Sequence, residues 1–179
     1  ISAKDAEEKS TEVVLKSRHT IRLEYWGRVL EAFQKSSCNL YNNISAGKDH
    51  WLSAGSGFSS CPYKLIYAQK ELRVELGLDR QDVDENKFLF DMLFAKKEQI
   101  ESAFGHPLVW IRLDDKISSR VQFAKQMDGF NKDNWNESVE WHLKHMIKLE
   151  AAFKRPLKEA SEALKQRISP TDNVLPPTL

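Results

Sequence analysis

From Glu71 to Asp79 the chain reads ELRVELGLD, in which Leu72, Val74, Leu76 and Leu78 alternate with Arg73, Glu75 and Gly77. A period of two sends the large apolar groups to one side of a strand and the polar groups to the other, so this segment belongs in a sheet with one buried face. The period then changes. Leu89, Leu93, Ile100 and Phe104 recur at helical intervals, which predicts a helix from about 84 to 104. Asp82 with Glu85 three residues later, or Asp84, can cap its start; Gly105 suits a left-handed C-terminal position and Pro107 stops propagation. In LVWIRLDDKISSRVQF, Leu108 to Phe123, the alternation returns on both sides of a polar turn, which reads as a hairpin.

The flanks complete a pattern. Ile21, Tyr25, Val29 and Phe33, with Trp26 and Leu30, form one stripe of a helix, and the Asn-, Gly- and Ser-rich CNLYNNISAGKDH separates it from the strands beyond. HWLSAGSG and YKLIYA are two further strands, the second joined to ELRVELGLD tightly enough for an antiparallel hairpin. A second long helix starts near Ser138, and Pro156 is expected to kink or divide it. The order α-β-β-β-α-β-β-α predicts an α+β fold: a largely antiparallel five-stranded sheet with helices on one face. Residues 1–18 are expected to be a charged linker or lead-in, 19–168 a single domain, and 169–179 an irregular Pro-rich tail.

Composition narrows the function classes. With 41% hydrophobic and 30% charged residues the chain is globular rather than disordered, and no apolar run approaches a membrane span. There is no secretory leader pattern, so the expected location is the cytoplasm. Cys38 and Cys61 are too few for a disulfide framework and read as reduced thiols. The formal charge of +1 offers no global attraction to polyanions, so nucleic-acid contact would need a local patch.

Asp114-Asp115-Lys116 contains the acid-x-lysine spelling of metal-dependent nucleases, where carboxylates hold Mg or Mn and the lysine orients water. The only upstream acid at a strand end is Asp79, and a helix intervenes, which is the wrong topology for that site. The polar-hairpin reading accounts for more residues and is preferred; a phosphodiesterase using Asp79, Asp114, Asp115 and Lys116 is the enzymatic alternative. In the hairpin, Val109, Ile111, Leu113, Val121 and Phe123 are expected to face the helices. Trp110, Arg112, Arg120 and Gln122 would then share the opposite face, joined by Arg73 and Glu75. Indole and guanidinium groups together suit nucleic acid or a protein partner. His142 and His145, three apart on a helix, can in principle share a metal, yet Trp141, Leu143 and Met146 around them look like packing, and no metal is expected. The serines of SAGSGFSSC match neither a nucleophile elbow nor a phosphate loop. Five tryptophans, Trp26, Trp51, Trp110, Trp135 and Trp141, are mostly expected in the core, with one or two available to a partner.

Trp51 after His50, the helix entry Asp82, Asn86, Lys87, and the hairpin set Trp110, Arg112, Leu113, Asp114, Lys116, Ser119, Arg120 carry a resemblance. From about Arg22 to Leu157 the chain resembles a bacterial and archaeal domain family of unknown function, typically the C-terminal module of proteins with an N-terminal restriction-like or NucS-like nuclease domain. The resemblance implies that domain association and a setting in prokaryotic DNA metabolism or defence; the leading expectation is a non-catalytic accessory module that binds nucleic acid or a protein partner through the Trp110, Arg112, Arg120 face and positions the N-terminal domain. A structural or oligomerising role is a further alternative.

Overall fold

The computed structural model describes residues 3–168, with side chains from residue 9. Helix α1 spans Ala3–Gln34 and strand β1 Trp51–Ala54; β2 (Tyr63–Tyr67) and β3 (Glu71–Leu78) then form a hairpin. Next come α2 (Val83–Phe94), α3 (Lys97–Phe104), β4 (Val109–Ile111), β5 (Ser119–Gln126), a 3-10 turn at Lys132–Asn134 and α4 (Trp135–Ile168). The five strands form one antiparallel sheet in the order β1-β2-β3-β5-β4, and the fold is α+β.

Register fixes which residues share a face. Leu65 pairs Val74, which pairs Phe123; Tyr63 pairs Leu76, which pairs Val121; Tyr67 pairs Leu72. These side chains make the face on which the helices pack. Tyr25 of α1 stacks on Tyr67 at 3.8 Å between ring centroids, Phe104 of α3 meets Phe123, and α4 lies across β2 and β3. The core is continuous from Tyr25, Trp26 and Phe33 through the sheet to Leu149, Phe153 and Leu157.

Four expectations change. The helix expected from 84 to 104 is two, because α2 ends at Ala95 and α3 restarts after Lys96, whose backbone leaves the helical region. Gly105 closes α3 at φ 96°, the left-handed value that a Cβ would strain. Helix α4 starts at Trp135 and passes through Pro156 undivided. The charged lead-in is itself helical from Ala3, although every residue from 9 to 18 is exposed. The expected irregular tail, 169–179, lies outside the described residues.

The fourth change concerns the second hairpin. Trp110 pairs with Val121, while Val109 pairs with Gln122 and Ile111 with Arg120. Paired residues of an antiparallel ladder point to the same side, so Trp110 faces the helices and Val109 and Ile111 face away, the reverse of the expected phase. The indole takes the inward slot because α2 and α4 present aromatic rings to it: Phe90, Phe94 and Phe153 lie within 6.0 Å, centroid to centroid. Leu113 at φ 54° ends the alternation beyond Ile111.

Candidate interaction surface

Trp110, Arg112, Arg120 and Gln122 therefore do not share a face. Arg112 lies beyond β4 on the α2 side, where its Nε and Nη2 donate to the two carboxylate oxygens of Asp91 at 3.0 Å each and its Nη1 to Asp114. The Asp91 contact, then that of Asp114, holds its guanidinium charged still more firmly than usual. It borders a cleft of about 500 Å³ with Lys87, Phe88, Asp91, Met92 and Arg167. With its fork already occupied by two carboxylates, Arg112 is a clamp on the loop between β4 and β5.

The residues at the helix entry explain that loop. Asp82 caps α2 by accepting from the Glu85 backbone N–H at 3.0 Å. Fully buried Asn86 spans to Ile117 O at 2.9 Å and holds Arg80 through its backbone N–H and C=O. Lys87, only 7% exposed, sends its ammonium to Arg112 O at 2.7 Å, Ser118 O at 3.0 Å and Ser119 Oγ at 2.8 Å. Burial, and then the Arg112 guanidinium, lower its pKa from the ordinary lysine value. An ammonium has three donors, and here all three are used. That makes Lys87 a structural cation rather than a base or nucleophile.

The acid-x-lysine residues do not assemble either. Asp79 lies at the end of β3, bound to Lys64 at 2.5 Å, whereas Asp114 holds Arg112 beside α2. Among the described residues, no three His, Cys, Asp or Glu side chains are placed to share a metal ion. His142 is buried between Tyr25 Oη at 2.6 Å and Ile66 O at 2.9 Å. A carbonyl only accepts, so Nε2 carries the proton and Nδ1 accepts from the tyrosine. Burial pushes the His142 pKa down to about 4. His145 is tied through Nδ1 to Trp141 O at 2.8 Å. Cys38 and Cys61 are buried and unbridged.

What remains is the sheet face opposite the helices. Its side chains form three cross-strand rows: Trp51, Ile66, Arg73, Ala124; then Ser53, Lys64, Glu75, Gln122, Val109; then Gly77, Arg120, Ile111. Three of the expected residues, Arg73, Arg120 and Gln122, do meet here. Arg120 Nε donates to Gln122 Oε1 at 3.0 Å, and Arg73 lies 3.2 Å from Glu71 and 3.1 Å from Glu75. The second distance is an ion pair without an aligned hydrogen bond, since Arg73 Nε and Glu75 Oε2 have no hydrogen-bond partner. Gly77 leaves room for the Lys64–Asp79 ion pair, since a Cβ there would stand 2.8 Å from Asp79 Oδ2 and 3.3 Å from Lys64 Nζ, and those side-chain ends would have to shift.

Apolar groups sit at both margins, Trp51 at 44% and Val109 at 51% exposure. Trp51 is not among the binding residues expected from the sequence. The signal was its position opening a short edge strand, where the period alone does not say which face an indole takes. No helix among the described residues is long and apolar enough to cross a membrane. A family model described as "Domain of unknown function (DUF4268)" matches residues 21–157. No curated protein and no solved structure matches the chain.

Proposed function

The chain belongs to the DUF4268 family, and from that premise we propose that it is a non-catalytic accessory module of a cytoplasmic prokaryotic nuclease-type or DNA-defence protein. The sheet face opposite the helices, with Trp51 and Val109 exposed at its margins, docks a protein partner, the nuclease-type domain of the same polypeptide. One observation carries the choice of a protein over nucleic acid: the charges of this face are already matched. Lys64 is paired with Asp79, and Arg73 with Glu71 and Glu75. Of the cations on this face, only Arg120 has no carboxylate partner among the described residues, its Nε donating to Gln122 instead. A face without net positive charge gains little from phosphate, because affinity for a polyanion grows with the number of phosphates neutralised. Apolar margins around polar groups that are already paired suit a protein interface, where aromatic and arginine anchors carry most of the energy.

Titration of the nuclease-type domain into this module by calorimetry tests the reading. Trp51→Ala with Arg120→Glu weakens binding by at least about tenfold, the scale of two interface anchors. Arg112→Gln, on the other side of the sheet, leaves it within about twofold if distant sites are independent. Absence of heat, or equal loss from both variants, overturns the proposal.

A further inference from the structure

The helix layer carries a charge distribution that neither the core nor the sheet face uses. Between positions 144 and 158 helix α4 bears five cations, Lys144, Lys148, Lys154, Arg155 and Lys158, against one carboxylate, Glu150. Glu150 is half-buried and receives the Cys38 thiol at 3.5 Å. Arg155 pairs with Glu159, which Lys96 also holds. Lys144, Lys148, Lys154 and Lys158 have no ion-pair partner among the described residues.

Helical spacing places Lys144, Lys148, Arg155 and Lys158 in one row, with Lys154 beside it and the exposed Ala151 in the middle. At 1.5 Å per residue the row is about 21 Å long. Like charges three and four residues apart repel in an isolated helix, so the row costs stability unless something anionic lies on it. The field reaches inward. His145 is held below its ordinary pKa first by burial and then, against its hydrogen bond to Trp141, by Lys144, Lys148 and His106.

We propose that the solvent face of α4 from Lys144 to Lys158 binds the phosphate backbone of nucleic acid without sequence preference. Lys144 with Lys148, and Lys154 with Lys158, make two ammonium pairs four residues apart that can meet phosphates along a backbone, and the small Ala151 side chain between them lets that backbone approach the helix. No exposed aromatic or large aliphatic side chain lies in this stretch, since Met146, Leu149, Phe153 and Leu157 are spent on the core. Base stacking and insertion into a lipid surface are therefore not offered, and contact is through charge. This inference does not rest on the docking role of the sheet, which lies on the other side of the molecule.

Fluorescence anisotropy with a labelled duplex and a labelled single strand tests it, using the whole chain and a variant carrying Lys→Gln at 144, 148, 154 and 158. A melting curve confirms that the variant is folded. The wild type binds at low salt and weakens as salt rises, with a log–log slope of about −0.9 per phosphate contacted on duplex. The variant loses at least about tenfold in affinity and its slope flattens by roughly three. A sheet-face control, Arg73→Gln with Arg120→Gln, stays within about twofold, as independent sites should. No binding at low salt, equal binding by the four-lysine variant, or binding to phosphatidylserine vesicles with none to nucleic acid overturns the assignment.

Discussion

A lysine this deeply buried persists as a cation only where each N–H finds an acceptor, and Lys87 finds two carbonyls of the loop between β4 and β5 and the Ser119 hydroxyl that opens β5. Lys87→Met keeps the bulk and removes the donors, taking the ammonium from Ser118 O and Ser119 Oγ and leaving Arg112 O only the Ser119 hydroxyl. Stability should fall by roughly 2–4 kcal/mol, seen as a lower urea midpoint with an unchanged slope. His142 gives the molecule a pH response. Its pKa is about 4 in the fold against the ordinary 6.5, so between those values the unfolded chain binds more protons and stability rises with pH. Acidification from pH 7 should remove on the order of 3 kcal/mol across that window, with little change above it. Urea titrations at several pH values read this directly, and His142→Asn should flatten the profile. The helix-entry residues Asp82, Asn86 and Lys87 were legible in the sequence as a motif. So was the capping role of Asp82, but the long-range work of Asn86 and Lys87 was not, because they reach residues 25 to 32 positions away and local patterns carry no such contacts.

Among the elements, strands and helices were readable wherever a long period could be traced, as in β3 and α4. The short strands β1, β2 and β4 were legible as strands, but the facing of the shortest was not. Three residues of β4 fit either phase of a period of two, and only the pairing with β5 and the rings of α2 and α4 decide that Trp110 turns inward. The break between α2 and α3 at Ala95–Lys96 carries neither Gly nor Pro to announce it. The hairpin phase has a direct test: Trp110→Ala should cost about 3–5 kcal/mol, the loss expected for a core indole, while Val109→Thr should cost within about 0.5 kcal/mol. Comparable small losses from both would mean that the indole faces water. Helix α1 has a similar division, with exposed residues from 9 to 18 and buried Tyr25, Trp26, Val29 and Phe33 further along. Removing residues 1–18 should leave the melting temperature within about 2 °C, since residues 9–18 bury no side chain against the domain.

At the scale of the whole molecule the sheet divides the labour. One face is consumed by four helices; the other is a polar layer whose cations are largely matched and whose margins are apolar. The expected meeting of indole and guanidinium groups on one face fails, but Arg73, Arg120 and Gln122 remain together, and Trp51 supplies an indole from the other edge. Partner docking on this face is the claim on which the proposed function turns. Amide chemical shifts of the labelled module, recorded while the nuclease-type domain is added, test it most directly. The largest changes should fall on the three cross-strand rows from Trp51 to Ile111 and spare α2 and α4. Changes concentrated on the helices, or none at saturating partner, would contradict it.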